Sequence, residues 1–226
     1  MEEETCEKHF VENVNVVADG RIEVRLPFKI YPDCLGESFK NSRRRFLSIE
    51  RRLERDSTLK SMYVDFIEEY MALGHMSPYN RSLIHPYYVI PHHCVIKPES
   101  TTTKLRVVFD ASARTSSNHS LNETLMVQQN LITTLFSFRL NRFALTADIS
   151  KMYRQFLVNE RDRKFQLVLW RANKEDKLKV FQINAVTYGL AAAPFLAIRS
   201  YPTGSQVLRE DLYVDDVLTG ADSFEI

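Results

Sequence analysis

The chain is short of cysteine: Cys6, Cys34 and Cys94 are its only three, odd in number and far apart. They form neither a disulfide framework nor the paired spacing of a zinc knuckle, which points to a reducing compartment. Net charge is nearly absent, at +1. That removes any global signal for nucleic acid, although a neutral total still accommodates a basic groove beside an acidic site. A long hydrophobic run is also missing. The longest candidate, "YGLAAAPFLAI", is far too short for a membrane span and contains Pro194. The opening "MEEETCEKHF" is acidic and has no apolar centre, unlike a signal peptide. No internal repeat or low-complexity tract stands out. The expectation is a soluble, intracellular protein, cytoplasmic or nuclear and not secreted, with no membrane partner.

What is present is enough for a substantial core. Hydrophobic residues make up 44% of the 226 positions and charged residues 26%, ordinary values for one large domain or two small ones. Residues 11–30 alternate around "VVADGRIEVRLPF", with Asp19-Gly20 as a hairpin turn signal. The stretch "ESFKNSRRRFLSIERRLERD" reads as a helix with Phe46, Ile49 and Leu53 on one face and five arginines between 43 and 52 elsewhere. Such a cluster is read either as a solvated helix face or as a nucleic-acid contact. A second helix follows "DS" at 56–57, with Leu59, Met62, Tyr63, Phe66, Ile67, Tyr70 and Met71 at i, i+3, i+4 spacing, and stops at Gly74.

Residues 85–112 read as strands separated by proline and a Ser-Thr turn. His92, His93 and Cys94 raise a metal reading, but neighbouring residues on a strand point to opposite faces, so structural roles are favoured. "SLNETLMVQQNLITTLFSFRLN" reads as a helix burying Leu121, Leu125, Leu131, Leu135 and Phe138. "RFALTADIS" reads as a strand with Asp148 near its end, followed by a turn or short helix at "KMYRQFLV". "RKFQLVLWR" and "LKVFQINAVT" form a strand pair, "YGLAAAPFLAIRS" a small-residue loop entering a helix, and "DLYVDDVLTG" a closing hairpin. The irregular order of helices and strands predicts an α+β fold, with an antiparallel sheet and helices packed on one side.

Asp215 and Asp216 interrupt an apolar strand-like run. Adjacent acids there suit either a solvated turn or a cation site, since paired carboxylates in an apolar setting repel and lose hydration. Antiparallel packing against the strand ending at Asp148 gathers three acids. That is the arrangement two-metal phosphoryl or nucleotidyl transfer requires.

These residues carry a resemblance. "YVDD" on a hairpin, preceded by "LTADISKMYRQFLV" and "VTYGLAAAPFLAIR", resembles the palm motifs of reverse transcriptases. "GHMSPYN", "YYVIPHHCVIKPESTTTKLRVVFDASART", "SLNETL" and "FQLVLWR" are similar to the BEL/Pao group of long-terminal-repeat retrotransposons, over about residue 9 to the C-terminus. The resemblance implies a right-hand polymerase fingers and palm: an N-terminal extension with a hairpin over 1–36, a fingers-like region over 37–140 and a palm over 141–226, without thumb or RNase H. It implies an RNA-directed DNA polymerase (nucleotidyltransferase) with two Mg²⁺ or Mn²⁺ ions, acting on deoxynucleoside triphosphates and an RNA or DNA template-primer, in company with other pol-derived domains. In virus-like particles such an enzyme serves transposition and DNA integration.

By the same resemblance, Asp148, Asp215 and Asp216 are the catalytic metal ligands, joined by the backbone carbonyl of Ile149. Arg106 and Lys104, with Lys97 as a further candidate, contact the triphosphate. Tyr153 is the gate against the sugar 2′-hydroxyl, Tyr188 and Gly189 pack against the nascent base pair, and Tyr213 touches the primer end. From the residues alone, Tyr153 is equally a packed core tyrosine and Arg106 equally an edge-strand surface residue. Against the family pattern the chain is shorter near 126–128 and near 199–203. Those shortenings support the alternative of a decayed or co-opted remnant that binds nucleic acid without catalysis.

Overall fold

The computed structural model describes residues 2–96, 99, 105–126, 143–148, 152–199, 212–213 and 216–221. Within them helices and small sheets are mixed, so the fold class is α+β. Helix α1 spans Glu2–Asn13, where the sequence predicted only the start of an alternating stretch. The Asp19-Gly20 turn does form: Gly20 has φ +82°, and strands β1 (Asn15–Val16) and β2 (Ile22–Val24) pair antiparallel around it.

Helix α2 (Phe39–Leu53) and helix α3 (Ser57–Ala72) lie where the apolar spacing puts them. Asp56 caps α3 by accepting the Leu59 N–H at 2.9 Å, a contact worth about 1 kcal/mol. Gly74 ends it at φ +72°, a conformation a side chain resists. Phe46 and Leu53 of α2, and Leu59, Tyr63, Ile67 and Tyr70 of α3, are buried in one core. They pack on β3 (Met76–Pro78), β4 (His92–Ile96), β5 (Leu105–Phe109) and β8 (Leu167–Trp170).

The pairing is mostly antiparallel: β4 with β5, and β3 with the distant β9 (Lys179–Ile183), which pairs in turn with β8. One pairing departs from the all-antiparallel expectation. Strand β7 (Phe156–Val158) runs parallel to β2, and a carboxylate bonds the same region together. Asp162, with its side chain 3% exposed, accepts from Arg25 Nε at 2.6 Å and Nη2 at 2.9 Å, and from the Leu26 N–H at 2.9 Å.

A second departure concerns the helix expected from Ser120. Helix α4 (Leu121–Thr124) starts on a capping box between Ser120 and Glu123 but stops after one turn. Leu125 is extended and bridges Phe28, while Lys29 N–H donates to Thr124 O at 2.8 Å and Met126 N–H to Pro27 O at 2.9 Å. Pairing with 27–29 takes the backbone groups that a second helical turn would have used. Leu121 and Leu125 are buried as expected; Leu131, Leu135 and Phe138 lie outside the described residues.

His92 takes a structural role. His92 is buried, accepts the Tyr63 hydroxyl at Nδ1 and donates from Nε2 to Leu169 O at 2.9 Å. Burial holds its pKa down at about 4, so the ring is neutral. Trp170 stacks on Tyr63 with centroids 5.4 Å apart, closing an aromatic cluster around it.

Candidate functional site

Strand β6 (Phe143–Asp148) ends at Asp148, and β11 (Asp216–Ala221) begins at Asp216. They pair antiparallel over six residues, with Asp216 directly opposite Asp148. The hairpin partner β10 (Leu212–Tyr213) places Tyr213 opposite Asp216 on its other side. Strand order β10-β11-β6 therefore sets Tyr213, Asp216 and Asp148 in one row across the sheet. Directly opposed residues of an antiparallel pair share a face, with Cβ atoms typically ~5 Å apart. Two like charges at such positions destabilise a sheet unless something offsets them. Asp215, Ile149, Lys104 and Lys97 lie outside the described residues.

Five residues after Asp148, at most ~18 Å of chain, comes Tyr153, in a 3₁₀ turn over Met152–Gln155. It is only 2% exposed, which matches the packed-core reading of this ring. Tyr188 meets it edge-on, with centroids 5.5 Å apart and planes at 89°. Tyr188 is partly exposed and so is the accessible member of the pair. The sequence thus separates by 35 positions two rings that the fold brings into contact.

Gly189 follows at φ +90°, and a Cβ built there would sit 2.0 Å from the carbonyl oxygen of Phe109. Only glycine fits, both for its dihedral and for the backbone passing behind it. Phe109 is the last residue of β5, and Arg106 lies three residues earlier on the same strand, roughly 10 Å away at strand rise. Arg106 is exposed, between the buried Leu105 and Val107, and its side chain makes no ion pair or hydrogen bond with another described residue. Among the described residues it is a free cation on the strand that abuts the Gly189 loop.

Two contributors escaped the sequence reading. Asn122 fastens the loop: its Nδ2 donates to Gly189 O at 2.8 Å, and its Oδ1 accepts the Ala191 N–H at 2.8 Å. It stands inside "SLNETL", a stretch legible as a helix start but not as a latch. Arg154 is buried beside Tyr153. Its guanidinium lies 4.5 Å from the Tyr70 ring centroid and 5.9 Å from that of Tyr188, and it pairs with Glu69 at 3.3 Å. A cation inside the apolar run "MYRQFLV" was the available signal. Burial pushes the Tyr70 hydroxyl up to about 12, opposed in part by Arg154, so that phenol stays protonated. Behind the loop, Pro194 sits at the start of helix α5 (Ala193–Arg199), and Phe195 of this helix packs edge-on against Phe10 of α1 at 6.3 Å.

The arrangement provides two aspartate positions opposed across a strand pair, an aromatic couple and a glycine-tight loop, with an arginine unpaired among the described residues on the strand that abuts that loop. No described helix is long and apolar enough to cross a membrane. No protein-family profile matches the chain, and no curated protein is significantly similar to it.

Proposed function

We propose that the chain is the fingers and palm of a BEL/Pao-type reverse transcriptase, joining deoxynucleotides to a primer 3′-hydroxyl on a nucleic-acid template. The observation that carries the reading is the register of β6 against β11, which sets Asp148 opposite Asp216 at the position where the motif order calls for joined acids. The motifs around it support the assignment by resemblance.

In this reading Asp148, Asp216 and Asp215, with the carbonyl of Ile149, hold divalent cations. Bound there, two such ions lower the pKa of the attacking hydroxyl and neutralise charge on the phosphates. The primer oxygen forms a bond to the α-phosphorus, the bond to the β-phosphate oxygen breaks, and pyrophosphate leaves with that electron pair. The hydroxyl proton passes to solvent. Arg106 offers a fixed fork of donors to the triphosphate, joined by Lys104. Tyr188 supplies a flat surface beside the base pair. It also holds Tyr153 from one side, and the Arg154 guanidinium lies 5.9 Å from the Tyr188 ring. Tyr153, buried in the core, backs Tyr188 rather than meeting the sugar itself, and Tyr213, opposite Asp216 in the hairpin, attends the primer end.

The test is deoxynucleotide incorporation on poly(rA)–oligo(dT) with Mg²⁺, wild type beside Asp215→Asn. Incorporation confined to wild type supports the reading, and metal-independent incorporation by both proteins sinks it. Template binding that is indifferent to Asp148→Asn, with no incorporation by folded wild type, would instead favour a non-catalytic nucleic-acid-binding remnant.

A further inference from the structure

Helix α2 carries Lys40, Arg43, Arg44, Arg45, Arg51 and Arg52 against a single acid, Glu50. The acid faces inward and is fully used: Arg171 Nε and Nη2 bond its two oxygens at 2.7 and 2.8 Å. Arg45 is likewise committed, to Asp110 at 2.6 Å. Lys40, Arg43, Arg44 and Arg51 remain exposed, with no carboxylate partner among the described residues. They line a groove of about 550 Å³ whose other walls are the partly buried Phe39 and Leu47.

A solvated helix face ordinarily intersperses both signs at i, i+4, and like charges at that spacing cost a few tenths of a kcal/mol each. Lys40 with Arg44 is such a pair, and Lys40 with Arg43 repeats it at i, i+3. The like-charge arrangement is concentrated along one groove, with apolar surface in its floor. From Lys40 to Arg51 the helix advances ~16 Å, a length over which a duplex strand at ~3.4 Å per nucleotide presents about five phosphates and a more extended single strand somewhat fewer. Exposed parts of Phe39 and Leu47 are placed to meet bases, which a single strand offers and a duplex conceals.

We infer that this groove binds the phosphate backbone of a single nucleic-acid strand, with Lys40, Arg43, Arg44 and Arg51 on phosphates and Phe39 and Leu47 beneath the bases. A lipid surface fits less well, because the main apolar face of α2, Phe46 and Leu53, is buried in the core and leaves little to insert. The site lies on a different element from the opposed aspartates and does not depend on nucleotidyl transfer.

The test is fluorescence anisotropy of a labelled 20-nucleotide RNA against the full chain between 50 and 200 mM salt, without divalent cation. It compares wild type with the quadruple variant Lys40→Gln, Arg43→Gln, Arg44→Gln, Arg51→Gln. Glutamine matches arginine and lysine closely in helix propensity, so circular dichroism should be unchanged. Four phosphate contacts contribute roughly 3 to the slope of log affinity on log salt. Wild type should therefore lose about 50-fold more affinity over this range than the variant. Equal slopes and affinities in the two proteins would overturn the inference. So would a groove-dependent preference for anionic vesicles or polyglutamate over RNA. Asp148→Asn should leave the binding slope alone, so failure here and failure of the polymerase reading are separately visible.

Discussion

Replacing Gly189 by alanine tests how tightly the candidate loop is fixed. The added Cβ would lie 2.0 Å from Phe109 O and 3.2 Å from Phe109 C. Both belong to the backbone of a strand paired with β4, so the loop, not the strand, has to move, by more than ~1 Å for an ordinary contact. A positive φ adds about 1–2 kcal/mol for any residue with a Cβ. Gly20 supplies the control: its φ is +82°, and nothing lies within 4 Å of its would-be Cβ. Gly20→Ala should therefore show the dihedral cost alone. Gly189→Ala should show that plus the clash, about 3–4 kcal/mol in total. For a chain of this size that is a fall of roughly 6–16 °C in Tm. Urea melts of the two variants beside wild type read the difference. Equal losses at the two glycines would refute the close approach of Phe109. In a polymerase assay, Gly189→Ala should also raise the KM for deoxynucleotide, because Tyr188 moves with the loop.

The latch on that loop gives another expectation. Asn122→Ala leaves Gly189 O and the Ala191 N–H without their side-chain partner, and hydrogen exchange at Ala191 should accelerate at least tenfold while β8 stays protected. Asp162→Ala removes three hydrogen bonds and strands Arg25; a loss of about 3 kcal/mol by urea denaturation is expected, and under 1 kcal/mol would contradict the described burial. His92 titrates at about 4 when folded, against 6.5 as the ordinary value. Between those values the unfolded chain binds the extra proton, so this residue's contribution to stability rises with pH, by about 3 kcal/mol across the window. Plotted against pH 4 to 6.5, the stability of His92→Gln should lack that part of the slope; an unchanged slope would place the titration elsewhere.

Elements governed by side-chain periodicity are legible in the order of residues itself. Helices α2 and α3 are set by apolar spacing and by the cap at Asp56 and the glycine at 74, signals that act within a few residues. The β8–β9 pair and the Asp19-Gly20 hairpin are similarly local. Where distant backbone decides, local patterning falls short. Leu125 has helical neighbours in sequence but pairs with Phe28, and the parallel contact of β2 with β7 joins segments more than 130 positions apart. At the candidate site, Asp148 stands out as an acid closing an apolar strand, while Tyr188 and Gly189 enter through the resemblance alone. Asn122 and Arg154 do neither, because their roles arise from partners that only the fold supplies.

Whether the acids opposed across β6 and β11 do chemistry is decided by single-nucleotide extension of a labelled primer. The assay uses Mg²⁺ or Mn²⁺, with wild type beside Asp148→Asn and Asp216→Asn at matched folding. Extension by wild type, abolished by chelator and reduced at least a thousandfold in Asp148→Asn, is the predicted result, at more than ~4 kcal/mol of lost transition-state stabilisation. Extension undiminished in both variants, or none from folded wild type, would contradict a catalytic role for these acids.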